Sequence, residues 1–244
     1  MLSAMQRSAR PRRVRPFGLS IVELLVGIAI GLFVLAGATA VVTGQLTDNR
    51  RLLLETQIQQ DLRAAADLIT RDLRRAGYWG NAVSRVWPAP GAVLADNMYF
   101  VVPMASLGIG GRTEINYSYS NAGPLPFGTG AENNNRSVAE TYGFTHNSTN
   151  NTIDMKVGAS GWQALTDPNV VRITQFDVQI NPQVLTVPCA KTCPGGGTAC
   201  WPQQTVRDVA IVITGQAVHD ANVQRNVRAG TRLRNDSIAG ACPV

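Results

Sequence analysis

The chain has 244 residues, 45% of them hydrophobic, and carries 22 basic against 16 acidic side chains, a formal net charge of +6. Five of the basic residues, Arg7, Arg10, Arg12, Arg13 and Arg15, precede Gly18, and without them the balance is 17 against 16. The alkaline pI is therefore a property of the leader and no evidence for a nucleic-acid-binding surface, and no repeat recurs at the roughly 20 to 50 residues of a solenoid.

The leader, residues 1–18, contains no acid. It runs into an apolar stretch: from Leu24 to Val42 every residue except Thr39 is apolar or Gly, a run of 19. An α-helix needs about 20 such residues to cross hydrocarbon. The positive-inside rule keeps the arginine-rich end in the cytoplasm and exports the rest, which predicts a bacterial inner-membrane span over residues 19–43 with a periplasmic domain. A secretory signal peptide would place an A-x-A-like cleavage site after a shorter apolar core. The nearest candidate, Ala36-Gly37-Ala38, lies inside a run that continues to Val42. Glu23 sits at the edge of the span. An unpaired acid there costs roughly 2.5 to 3 kcal/mol on insertion scales, so it is by default a functional residue awaiting a cation.

Gly18 followed by Leu19-Ser20-Ile21-Val22-Glu23-Leu24-Leu25 resembles the type III signal of type IV prepilins. In that family a membrane aspartyl peptidase cuts after the Gly and methylates the new N-terminus, and a Glu stands as the fifth mature residue. The resemblance implies cleavage between Gly18 and Leu19, N-methylation of Leu19, and a subunit-assembly role for Glu23. Leu19 departs from the Phe that the family commonly has first, while keeping its apolar character.

Beyond Gly44 the apolar positions Leu54, Ile58, Leu62, Ala65, Ile69, Leu73 and Ala76 recur at steps of three and four, one stripe along a helix. Residues 44–77 are thus predicted as an amphipathic periplasmic helix half, with Gly77 as C-cap and Arg74 and Arg75 matched to the negative end of the macrodipole. One helix over Leu19–Ala76 has 58 residues and spans about 87 Å. The alternatives for its polar half are an amphipathic helix on the membrane surface or a dimeric coiled coil.

Residues 78–244 read as a β-rich head, 167 residues and enough for one core. Strands are predicted at Asn97–Pro103, Arg112–Tyr119, Thr152–Val157, Val170–Ile180, Val206–Val218 and Asn222–Arg234. A phase change between Ile173 and Phe176 predicts a β-bulge. The continuous run Val209–Ile213 predicts a central strand buried on both faces. Ala131–Asn135 and His146–Asn151 read as exposed loops. The stretch from Ala66 to Gly80 is similar to the helix end of PilW-type minor pilins and of the J-type pseudopilins of type II secretion. Ile173–Ile180, Arg207–Gly215 and Thr231–Asn235 resemble their later strands.

Cys189, Cys193, Cys200 and Cys242 all lie in the exported region, where an even count is read as two disulfides. Three pairings are open: Cys200 with Cys242 would tie down the tail, and Cys189 with Cys193 would close a small loop. A four-cysteine zinc site is the alternative, although the spacing lacks the paired short intervals of zinc ribbons. Catalytic material is scarce. His146 and His219 are expected on the surface, Gly108-Ile109-Gly110-Gly111 reads as a turn, and Trp79, Trp87, Trp162 and Trp201 as packing residues.

The expectation is an α+β, type IV pilin-like fold, a long N-terminal helix packed on an antiparallel sheet, acting as a minor pilin and not an enzyme, with no cofactor or metal. Implied partners are the prepilin peptidase, the inner-membrane assembly platform, membrane lipid, other minor pilins, the major pilin and a tip adhesin, with no nucleic acid. Its place is first the inner membrane and then the fibre or its tip. A type II secretion pseudopilin is the alternative of the same architecture. A membrane-anchored periplasmic ligand-binding or enzymatic domain is the alternative of another class.

Overall fold

A computed structural model describes residues 18, 20–86, 95–100, 114–122 and 130–243. The leader before Gly18, Leu19, Trp87, residues 101–103 of the first predicted strand, the glycine cluster 108–111 and Arg112 lie outside them. The chain divides into two compact units between Arg50 and Arg51.

Helix α1 runs Ile21–Leu73, 53 residues. The part in the first unit is exposed throughout, and its most apolar stretch reaches a mean hydropathy of 2.5. By length and composition this helix could cross a membrane. Thr39 and Thr43 turn their hydroxyls back on the carbonyls of Leu35 and Thr39, at 2.7 and 3.0 Å. Such back-bonding satisfies a hydroxyl inside the helix itself, as hydrocarbon surroundings require.

In the second unit the helical stripe becomes the core. Ile58, Leu62, Ala65, Ile69, Leu73 and Ala76 are buried, Leu54 partly so, and each large apolar side chain so buried contributes about 1.5 to 3 kcal/mol. They pack on two four-stranded sheets, both antiparallel. The first is a meander of β1 (Glu114–Ser118), β2 (Thr141–Asn147), β3 (Thr152–Val157) and β4 (Trp162–Ala164). The second pairs β5 (Val171–Thr186) with β6 (Gln203–Ala217) and β6 with β7 (Gln224–Arg232), while β8 (Ser237–Ala239) pairs with the start of β6. A four-residue helical turn, α2 (Val83–Val86), follows α1. The layout is α+β and pilin-like: a long N-terminal helix packed on antiparallel sheet.

Several expectations need correcting. Thr141–Asn147 is a strand, so His146 stands in a sheet and not in a loop. Asn97–Phe100 is a turn and not a strand: Asn97 accepts from the Tyr99 N–H at 2.9 Å and donates to Gly77 O at 2.9 Å. β6 is central, but only the face of Val209, Ile211 and Ile213 is fully buried, with Ala210 and Val212 half-exposed. The predicted bulge is present as a register shift between Ile173 and Gln175.

Regular helix ends at Leu73, and a turn carries the chain to Gly77, whose φ is +74°. A Cβ there would stand 2.7 Å from the Phe100 ring, so both conformation and space demand glycine. At Gly215 an added Cβ would lie 2.6 Å from Val171 Cγ2 and 3.2 Å from Leu62 Cδ2. This glycine lets β6 approach α1 closely. Gly215→Ala is therefore expected to destabilise the protein by about 1 to 3 kcal/mol through overpacking. Gly230→Ala, whose new methyl would meet nothing nearer than Val209 O at 3.5 Å, should change little. Urea unfolding of the detergent-solubilised chain, followed by near-UV circular dichroism, measures both.

Candidate assembly site

Gly18 is exposed, and among the described residues nothing lies within 4 Å of where a Cβ would be. Two residues on, Ser20 O accepts from the Leu24 N–H at 3.1 Å and opens the helical ladder. Glu23 occupies the first turn of α1 and is exposed. Among the described residues it forms no ion pair or hydrogen bond. The partial positive charge of the helix N-terminus favours an acid here, by about 0.3 to 1 kcal/mol in water. In hydrocarbon that falls short of the desolvation cost, so a full cation is the chemical complement of this site.

The other end of α1 is fixed by groups from distant parts of the chain. Asp72 accepts hydrogen bonds from the phenols of Tyr117 and Tyr119, the latter at 3.3 Å. Burial, and then the neighbouring Asp72 charge, push both phenols up, so they remain protonated donors at neutral pH. The Tyr119 ring stacks on Tyr142 at 4.1 Å, and the Arg75 guanidinium lies over it at 4.2 Å. Asn235 donates to the carbonyls of Arg75 and Ala76 at 3.2 and 3.0 Å, and the Arg234 N–H reaches Arg74 O at 3.3 Å. These bonds satisfy helix-terminal carbonyls that have no partner within the helix. None of this was read from the sequence, since no local motif links Asn235 to a helix end some 160 residues earlier.

Acids that would draw notice as catalytic are occupied structurally. Glu140 is buried and accepts from the Ser137 N–H at 2.9 Å, the Tyr99 hydroxyl at 3.0 Å and the Asn121 N–H at 3.2 Å. Burial alone would raise the Glu132 carboxyl, but hydrogen bonds from Ser120, the Asn134 and Gly80 N–H groups and Tyr99 hold it below its ordinary value. His146 Nε2 is engaged by Ile173 O at 3.2 Å, and His219 is exposed in the turn after β6.

The cysteines pair as Cys189–Cys242 and Cys193–Cys200. Cys242 thus ties the tail to the segment after β5, not to Cys200, and the small loop is closed by Cys193 with Cys200. No thiol is left for the alternative zinc site. Each bond contributes about 2 to 4 kcal/mol. Gly195, Gly196 and Gly197 turn the chain inside the smaller loop, all at positive φ. Trp201 donates to Lys191 O at 2.9 Å and Trp79 to Asn134 Oδ1 at 2.9 Å, uses that brace loops. Among the described residues no group of three His, Cys, Asp or Glu is placed to hold a metal.

A family model described as prepilin peptidase-dependent protein B matches residues 51–233. That span begins after Gly18, Glu23 and the apolar run, so the match and the signal are separate observations. No curated protein and no solved structure matches the chain.

Proposed function

The chain belongs to the prepilin peptidase-dependent protein B family, and from that membership we propose that it is a minor pilin of the PilW kind that helps to initiate assembly of a type IV pilus. The observation that carries the reading is the carboxylate of Glu23 in the first turn of an exposed, membrane-length apolar helix, directly after Gly18. Cleavage at Gly18 would leave the Leu19 amine as the new N-terminus. In an assembling fibre, the amine of a neighbouring subunit meets Glu23, offsets its desolvation and sets the axial register.

On this reading the protein is a structural subunit and not an enzyme. It resides in the inner membrane with the head in the periplasm until it enters the fibre. Its partners there are the prepilin peptidase, the assembly platform, the major pilin, other minor pilins and a tip adhesin. The braced end of α1 supports this, since a helix drawn axially during assembly transmits force to the head only if the two are firmly joined.

Deleting the gene tests the proposal. Electron microscopy of the deletion strain is expected to show few or no surface pili, with piliation restored by the wild-type gene. Normal piliation with lost protein secretion would assign the chain to a secretion pseudopilus. Normal piliation with normal secretion would overturn both.

A further inference from the structure

At the C-terminal end of α1 a cleft of about 530 Å³ opens between the helix, the segment after β1 and the segment after β7. Four arginines line it: Arg71, Arg74 and Arg75 from the helix and its terminal turn, and Arg234 from the far end of the chain. All four are exposed. We propose that this cleft is a docking site for an acidic stretch of a neighbouring protein subunit, whose side-chain carboxylates are received by the four guanidinium groups. The nature of that neighbour, another pilin-like chain, rests on the assembly reading above.

The cleft holds charge that the described residues leave largely unneutralised. Arg75 has a partial partner in Asp72, at 3.6 Å, and Arg74 donates to the Thr231 hydroxyl at 2.7 Å. The guanidinium groups of Arg71 and Arg234 have no hydrogen-bond or ion-pair partner among the described residues. The segments outside the description contain no Asp or Glu, so none of them brings a side-chain carboxylate to the cleft. By contrast, Arg51, Arg85, Arg225 and Arg232 are paired with Glu55, Asp96, Glu55 and Asp236. Converging guanidiniums repel one another until an anion arrives, and their planar forks match carboxylate oxygens in pairs.

The walls are set in advance. The Arg75 guanidinium is held over the Tyr119 ring, and the side-chain amide of Asn235 is already committed to two helix carbonyls. These two side chains lose little freedom when a ligand binds, which favours affinity. Tyr78, 44% exposed, lines the same cleft. Tyr and Arg together are the residue types over-represented among the energetic anchors of protein interfaces.

The charge around the cleft selects between kinds of anion. Residues 51–244 hold 16 basic and 14 acidic side chains; setting aside the four cleft arginines leaves 12 against 14. Two of those acids, Glu140 and Asp154, are buried, so the surface beyond the cleft is neutral in sum. A nucleic acid carries charge continuously along its length, on the order of one per 1.7 Å of duplex, and would run from the cleft onto a surface with no net positive charge to receive it. A short acidic peptide concentrates its charge inside the cleft. The volume agrees, falling within the roughly 300 to 1,000 Å³ of concave ligand sites.

The test uses the full chain in detergent and fluorescence anisotropy with a labelled hexaglutamate peptide, beside an oligonucleotide of equal charge. The cleft variant is Arg71→Glu with Arg234→Glu. The control is Arg63→Glu with Arg172→Glu, which makes the same change of net charge at exposed sites that do not line the cleft. Hexaglutamate should bind the wild type, bind the cleft variant about tenfold or more weakly, corresponding to roughly 1.4 kcal/mol, and bind the control as it binds the wild type. The milder pair Arg71→Gln with Arg234→Gln should follow the cleft variant, with thermal unfolding unchanged in both. No binding of hexaglutamate, or equal loss in cleft and control variants, would overturn the proposal. So would tighter binding of the oligonucleotide that is lost in the cleft variant, which would reassign the cleft to nucleic acid. Processing and recovery in sheared fibres are scored separately. A chain that enters the fibre and ignores hexaglutamate retains the assembly reading and loses the cleft, and the converse result does the opposite.

Discussion

Gly18→Trp is expected to leave the protein at its translated length, with the 18-residue leader retained and no free Leu19 amine. A peptidase that cuts after a small residue must pass the backbone at the cut close to its catalytic groups, and a bulky side chain there blocks the approach. Loss of processing in this variant is not expected to reflect misfolding, because a Cβ at Gly18 would meet nothing within 4 Å among the described residues. Among the described residues, all that form the core lie beyond Arg50. Intact-mass spectrometry of the membrane fraction makes the measurement, with wild type expected to be shorter by the leader and to begin at a methylated Leu19. The effect should be close to all-or-none. A variant of normal mature mass, or a wild-type N-terminus other than Leu19, would overturn processing at this site.

The helix was legible in the sequence because its signal is redundant. A membrane-length apolar run and a stripe of seven positions at helical spacing point to one element, and six of those seven are buried in the fold. The bulge at Ile173 to Gln175 was legible for a similar reason, since only an extra residue reconciles the apolar alternation on its two sides. β2 was not. Its residues Thr141-Tyr142-Gly143-Phe144-Thr145-His146-Asn147 end in turn-forming types and contain a glycine that reads as a break. The structure gives that glycine its reason: a Cβ at Gly143 would stand 2.6 Å from Asn116 Oδ1 and 2.9 Å from Ile115 O, so β1 and β2 meet there only without a side chain. β4 and β8, three residues each, depend on neighbours and have no period of their own.

The site divides along the same line. Roles for Gly18 and Glu23 could be proposed from the sequence because the signal lies in immediate neighbours: arginines on one side, hydrocarbon-length apolar sequence on the other. The arginine cleft could not. Arg74 and Arg75 were accounted for by the helix dipole alone, and Arg234 joins them only because β7 returns the chain to the end of α1. The disulfide pairing was open for the same reason, since nothing in the spacing says that Cys189 and Cys242, separated by 53 positions, end as neighbours.

Glu23→Ala should separate insertion from assembly. An acid in the apolar phase costs up to roughly 3 kcal/mol on insertion scales, so removing it can only ease entry into the membrane. The helix loses no structural bond, because Glu23 makes none among the described residues, and in the first turn it contributes only the modest macrodipole gain. Export, cleavage and stability of the variant are therefore expected to match wild type. Assembly is different. If the N-terminal amine of one subunit is the cation that Glu23 meets, the variant leaves that amine in lipid with no counter-charge, and breaking a buried pair from one side costs about 3 to 5 kcal/mol. Each 1.4 kcal/mol is a factor of ten in an equilibrium, so incorporation should fall by at least a hundredfold. The measurement is the amount of variant in sheared fibres relative to the membrane fraction, with crosslinking to neighbouring subunits. A Glu23→Gln variant keeps the size and removes the charge, and should fail alike. Wild-type incorporation of either variant would show that this carboxylate does not seat the subunit.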